Sequence, residues 1–386
     1  MRLISVAVAL GFGIGFALAQ NQPAAPQDVA AIEFGFDADT TPWTALDDTA
    51  VLSITHEADE IKAGTGALKW EFTPAAGKMP GLVAAQTAPA PDARSMSVWV
   101  RSSVACVIAV GLMEAGGARY VTAAYCPPNE WQHLEVALTD FLLSDDTADD
   151  NNQLDADQIA GCMILDLAAM LIQEPGAEQF VGLTAAPRTI LVDDLRISSQ
   201  QVAPQRVVRD APGGGREVTL QTFDTSALFI IPLRNTAAHA VQLQGGQGGA
   251  AMLSYELTNA QVPIAGLLMP VQPGQLAGLA RLRVVVASQQ PMTLVVTMEE
   301  KEDPAGGRDK SNYAASRALA GGGQWETIEF SRDDFRLGDD SSDENGQLDG
   351  DQISMVAIID ASVMTGGAPT PANVVSIDEI TAITTQ

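Results

Sequence analysis

A 36-residue stretch of this chain occurs twice, so the fold must be one that can be laid down in tandem. Residues 131–166 align without gaps on 325–360, with 17 of 36 positions identical, where about two would agree by chance. The shared positions include Trp131/Trp325, Phe141/Phe335, Asp145-Asp146/Asp339-Asp340, Gln153-Leu154-Asp155/Gln347-Leu348-Asp349 and Asp157-Gln158-Ile159/Asp351-Gln352-Ile353. Outside this block the match continues at an offset of 185: Leu68-Lys69-Trp70-Glu71-Phe72 answers Leu253-Ser254-Tyr255-Glu256-Leu257, and Met113-Glu114 answers Met298-Glu299. Val192-Asp193-Asp194-Leu195 answers Ile377-Asp378-Glu379-Ile380. The change of offset falls in residues 300–308 and is compensated between 360 and 378. Both read as loops, where length changes cost little.

The repeat divides the chain. Residues 20–29 are rich in Pro, Ala and Gln and read as a linker. Residues 30–199 form copy one, and 217–386 form copy two. Residues 200–216, with Pro204, Pro212 and Gly213-Gly214-Gly215, read as the joint. Within each copy, short apolar or alternating runs are punctuated by Gly, Pro, Asn and Asp, as in residues 96–100, 105–112, 119–125, 189–197, 281–287 and 294–298. Helical periodicity is absent apart from a turn near 154–159. This pattern predicts an all-β fold of two tandem antiparallel β-sandwich, jelly-roll domains.

Each copy resembles the jelly-roll domains of the galactose-binding-like class, above all family 11 carbohydrate-binding modules and the complex I intermediate-associated protein domain. The resemblance rests on an opening strand ending in an acid (residues 32–37, and Thr222-Phe223-Asp224). A Gly-x-x-Leu strand follows (Gly66-Ala67-Leu68 and 249–253), then Glu114-Ala115-Gly116. A tryptophan next leads into a strand and a Phe-bearing turn (131–141 and 325–335), and the copy closes on residues 192–195 and 377–380. It implies glycan binding and a structural calcium ion. It also implies a cation site joining first strand to last: Glu33 or Asp37 with Asp193, and Asp224 with Asp378. The alternative for those acids is charge that protects a sheet edge.

At its start the chain reads as a cleaved targeting segment, residues 1–19: Arg2, an apolar run, and Ala17-Leu18-Ala19. The run, about 15 residues, is short of the roughly 20 that span a bilayer. The expected location is secreted, periplasmic or at the cell surface, with no membrane insertion. A formal net charge of −27 repels phosphate backbones, so nucleic acid is not an expected partner. The three cysteines all lie in copy one. A turn centred on Gly116 sets Cys106 opposite Cys126, where a cross-strand disulfide can form in an oxidising compartment. Cys162 reads as a buried thiol.

Two features carry chemistry. Asp145, Asp146, Asp149, Asp150, Asp155 and Asp157 fall within 13 residues, and Asp339, Asp340, Asp343, Glu344, Asp349 and Asp351 repeat the spacing. Clustered oxygen donors on an Asn- and Gly-bearing loop suit calcium, and a bound cation would relieve their repulsion. The alternative is a solvated loop in which an Asp caps a short helix. The second feature is aromatic. Trp131/Trp325 and Trp70/Tyr255 recur and read as packing residues, whereas Trp43 and Tyr313 do not recur. Trp99, Tyr120 and Tyr125 are unshared as well and are the candidate ligand-binding face. Catalysis finds no support: His56, His133 and His239 do not recur, and no nucleophile, zinc or phosphate-loop spacing is present. The expected function is a non-enzymatic binding protein for a glycan, with calcium-stabilised loops. The alternative is a structural or protein-interaction module of the cell surface or matrix whose partner is an extracellular protein.

Overall fold

The computed structural model describes residues 30–385, except 76–77, 87–89, 145, 168, 170–184, 213, 224–230, 234–235, 243–248, 256–264, 273, 301–310, 340, 344 and 363–371. The targeting segment, the first linker, the loop at 301–308, Asp145, Asp224, Asp340 and Glu344 therefore lie outside the described residues.

The chain folds as two compact units that divide near residues 204 and 205. Each is an antiparallel β-sandwich of two sheets. In copy one, sheet A has the order Val51–Thr55, Ala67–Phe72, Arg188–Ser198, Ser95–Ser102 and Gln132–Ala137, with Ala30–Phe34 also pairing Arg188–Ser198. Sheet B has the order Leu142–Leu143, Arg119–Cys126, Cys106–Glu114, Ile159–Asp166, Gly81–Ala85 and Trp43–Ala45. Sheets C and D of copy two repeat this arrangement. Asn373–Thr384 lies centrally in sheet C beside Gly249–Tyr255 and Leu279–Ser288, and Met292–Glu300 pairs Ile353–Asp360 in sheet D.

The burial pattern follows from the sequence. Ser95–Ser102 alternates: Met96, Val98 and Val100 are fully buried, while Ser97, Trp99 and Arg101 face outward. Cys106–Glu114 is a continuous apolar run, buried at nearly every position, so sheet B is covered on both faces. Small residues make that possible. A Cβ on Gly111 would meet Met163 Cγ at 2.5 Å, and one on Gly161 would meet Met113 Cε at 2.6 Å. The two methionines lie across the glycines and fill the space that side chains there would take.

Strand pairing corrects the sequence alignment in three places and the reading of the joint in a fourth. Glu114 and Glu300 occupy the same position, opposite Ile159 and Ile353, so the counterpart of Glu114 is Glu300 rather than Glu299. Phe72 pairs Arg188 as Tyr255 pairs Asn373, so Tyr255 corresponds to Phe72 and not to Trp70. That slip of two residues preserves the inward face, which is why apolar identity alone did not expose it. Tyr313, opposite Met298 and Leu337, is the counterpart of Tyr120, opposite Leu112 and Leu143, so these tyrosines do recur. Finally, the stretch taken as the joint contains a strand, Val208–Asp210, paired with Arg216–Gln221 of copy two.

Candidate functional site

The acidic loop is organised by a buried glutamate that the loop sequence does not contain. In copy one, Glu114 at the end of its strand accepts the Asp155 backbone N–H at 2.6 Å. The Tyr120 hydroxyl donates to Asp149 Oδ2 at 2.7 Å. Asn151 Nδ2 and Gln158 Nε2 donate to Asp155 Oδ2 at 3.2 and 3.1 Å. Copy two reproduces the network with Glu300 and Asp349. There the Tyr313 hydroxyl donates to Asp343 at 2.5 Å, and Asn345 and Gln352 donate to Asp349 at 2.8 and 2.9 Å. Asp155 begins a 3-10 turn, Ala156–Gln158, without a side-chain cap, so its carboxylate serves the network instead of capping.

Charge and burial set the electrostatics. Burial pushes Glu300 up to about 7, against the lowering effect of the Asp349 N–H, and the charges of Asp343 and Asp349 add to the rise. Glu114 is raised the same way. The Tyr120 hydroxyl holds Asp149 below the usual carboxylate range. Asp146 is paired with Arg119 at 2.5 Å, and Asp157, Asp339 and Asp351 are exposed. By type these oxygen donors fit a hard cation. Among the described residues no three carboxylates, histidines or cysteines converge as a ready-made metal cage.

Of the acids assigned to first and last strands, Asp193 has a different task. Its Oδ2 accepts the backbone N–H groups of Lys62 and Ala63 at 2.7 and 2.8 Å. Burial raises its pKa. Asp37 holds the same loop by accepting the Thr65 N–H and hydroxyl at 2.6 and 2.8 Å. Glu33 pairs with Arg196 at 3.1 Å. Asp378 is half-buried in copy two. The clamped loop carries Lys62, whose ammonium lies 4.2 Å from the Trp99 ring centroid.

The predicted aromatic face does not exist as a unit. Trp99 belongs to sheet A, whereas Tyr120 and Tyr125 belong to sheet B. Tyr120 is fully buried, because its side chain points between the sheets toward Asp149. Tyr125 is half-buried opposite Val107. What the fold assembles instead is a strip on the outer face of sheet A. Trp99 stacks on His133 at 4.4 Å and 23°. Half-buried Trp131 immediately precedes the edge strand that carries His133. Arg101 follows on the strand of Trp99, its guanidinium donating to the Asp59 carbonyl at 2.7 Å. Farther along lie Lys69, paired with Glu60 at 3.0 Å, and then a hollow of about 420 Å³ lined by Thr49, Glu71, Phe72, Thr73, Pro187, Arg188 and Thr189. Thr189 is four residues from Asp193, the partner of Trp99, so the strip runs about 13 Å at the rise of a strand.

Sequence reading missed His133 and Trp131 for opposite reasons. His133 does not recur, and Trp131 recurs and therefore reads as packing. Trp325, the counterpart of Trp131, is 39% exposed on the edge strand Trp325–Ser331 of sheet C. The described position equivalent to Trp99 is Val285, paired with Thr327. Copy two therefore lacks the stacked pair.

Two antiparallel sandwiches in tandem, one bearing an aromatic strip and both an acidic loop, define a tandem jelly-roll protein. No protein-family model matches the chain, and no curated protein does. Among solved structures it is similar to the CBM22-1–CBM22-2 tandem domain of Xyn10C from Paenibacillus barcinonensis, at 14% identity and a TM-score of 0.29, covering 94% of this chain and 99% of that one. It is also similar to the family 11 carbohydrate-binding module from Clostridium thermocellum in complex with a β-1,3-1,4-mixed-linked tetrasaccharide, at 18% identity and 0.32, covering 44% and 96%. An exo-β-agarase matches at 13% identity and 0.31, covering 47% of this chain and 25% of the enzyme. At these scores the fold rests on sheet order and register. Among the described residues no helix is long and apolar enough to cross a membrane.

Proposed function

We propose that this is a non-catalytic, secreted glycan-binding protein whose principal binding surface is the outer face of sheet A in copy one. The observation that carries the reading is the Trp99–His133 stack, set in an otherwise polar strip among Lys62, Arg101 and Lys69. Sugars present apolar C–H faces and a rim of hydroxyls. Sugar C–H groups can take the place of the Lys62 ammonium over the Trp99 ring, and the side chains around it supply donors to the hydroxyls. On the outer face of sheet B, Met113 and Met163 fill the space over the central glycines, and Tyr125 and Arg119 stand apart at opposite ends of their strand. We further propose that calcium, when bound, draws on Asp149 and Asp155 backed by Glu114, and on Asp343 and Asp349 backed by Glu300. Their oxygen chemistry supports this, and the ion must compete with the hydrogen bonds those side chains already make.

Thermal unfolding with calcium and with chelator, followed by calcium plus a panel of soluble polysaccharides, tests both parts. A ligand bound only by the native state raises the midpoint by mass action. Calcium is expected to raise it by several degrees, and one glycan is expected to raise it further. Trp99→Ala should weaken that glycan about tenfold, while Trp325→Ala leaves it unchanged. No glycan response, or full affinity in the Trp99 variant, overturns the binding reading. No calcium response overturns the ion reading.

A further inference from the structure

The hairpin formed by Cys106–Glu114 and Arg119–Cys126 places its first and last residues in register, Cys106 opposite Cys126. Residues directly opposite on antiparallel strands have Cα atoms about 4.5–5.5 Å apart, inside the window of about 4.4–6.8 Å that a disulfide requires. Both side chains are fully buried, both are free thiols here, and they touch one another. Cys162 is equally buried but stands opposite Leu112. Leu112 is six residues along the strand from Cys106, about 20 Å at the rise of a strand. In this fold Cys162 can pair with neither of the others.

We propose that Cys106 and Cys126 form a native cross-strand disulfide that closes this hairpin, made while the hairpin is still open and then sealed into the core. The step balances with a low-molecular-weight or protein disulfide as oxidant. The two thiols give up two protons and two electrons to form one S–S bond, and the oxidant leaves as two thiols. The timing follows from burial, since an oxidant cannot reach sulfurs with no exposed surface. Burial, with the Cys126 thiol and Asp166 as neighbours, also pushes the Cys106 thiol up, so the folded state holds no thiolate there to attack. Copy two carries no cysteine, so the bond belongs to copy one alone.

Chain statistics supply the control. Cys106 and Cys126 are 20 residues apart, and Cys126 and Cys162 are 36 apart. Loop closure alone favours the first pair over the second by only about two- to threefold. The full chain, denatured and reduced, is refolded in a mixture of oxidised and reduced glutathione, alkylated, digested and mapped. The expected result is a peptide linked through Cys106 and Cys126, with Cys162 alkylated, in far greater excess over other linkages than chance gives. Cys162→Ser should not change that yield. Once folded, the bond should resist dithiothreitol until denaturant is added, and its reduction in denaturant should lower the midpoint on return to buffer by roughly 5–10 °C. Three alkylated thiols after refolding, or linkages distributed at the chance ratio, overturn the proposal.

Discussion

Asp166 and Asp360 occupy the same place in the two copies and are buried in both, yet each is satisfied differently. Asp166 pairs with Arg188 at 2.5 Å, both side chains being fully buried, and Arg188 lies 5.9 Å from the Phe72 ring. Asp360 accepts the Tyr255 hydroxyl at 2.7 Å and the Ser362 N–H and hydroxyl, while Asn373 donates to Tyr255. An ionic solution in one copy thus corresponds to a mostly neutral donor network in the other, with Phe72/Tyr255 and Arg188/Asn373 exchanged together. Removing one partner of a buried ion pair leaves an uncompensated charge, which costs about 3–5 kcal/mol. Losing an acceptor of neutral donors costs about 1–3 kcal/mol. Denaturant unfolding should therefore show Asp166→Ala as more damaging than Asp360→Ala. Arg188→Asn alone should be severe, and adding Phe72→Tyr should recover part of the loss by giving Asp166 a tyrosine hydroxyl donor like the one Asp360 has. If F72Y/R188N is no better than R188N, the two networks are not interchangeable.

At the scale of the element, the acidic loop has a signed pH dependence. A carboxyl raised to about 7 in the folded state holds a proton that the unfolded chain releases near its ordinary value of about 4.3. The folded protein then binds more protons than the unfolded one across that interval, and stability falls as pH rises from about 4.5 to about 7. Glu114 works in the same direction. The acids held low, such as Asp149 and Asp334, lose their contribution only on acidification below the ordinary carboxylate range, so the windows are distinct. In chelator, the midpoint should be lower at pH 7.5 than at pH 5, and Glu300→Gln should remove part of that slope. An unchanged slope in the variant rules out Glu300 as its source. The loop also shows what sequence can and cannot disclose about a site. Its aspartates fall within 13 residues and repeat at one offset, so their grouping was legible. Glu114 and Glu300 reach the loop from another strand, across a length change that hid their equivalence by one residue. Tyr120 was misread because period-two alternation assigns residues to faces without saying which face is inward. In a strand buried on both sides, polarity cannot break the tie.

For the whole molecule, the repeat alone made two tandem sandwiches legible, because 17 identities in 36 positions demand one fold used twice. The binding strip was not legible. Trp99 and His133 are 34 positions apart in sequence and meet only through the pairing of Ser95–Ser102 with Gln132–Ala137. The other global property is charge. At −27, the chain repels itself in the compact state, and that repulsion acts over about 10 Å at 0.1 M salt. Opposing it are ion pairs that are largely exposed, such as Arg281–Glu329 at 2.8 Å and Arg119–Asp146 at 2.5 Å, and each contributes about 0–1 kcal/mol. Salt weakens both effects, so the sign of the response shows which dominates. With acids outnumbering bases 48 to 21, most carboxylates have no cation to pair with, and screening should favour the folded state. In chelator at pH 7.5, raising sodium chloride from about 10 to about 300 mM should raise the midpoint by a few degrees. Most of the gain should come at the low end, where the screening length changes fastest. A midpoint that falls with salt would mean that the paired charges, few as they are, outweigh the repulsion of the rest.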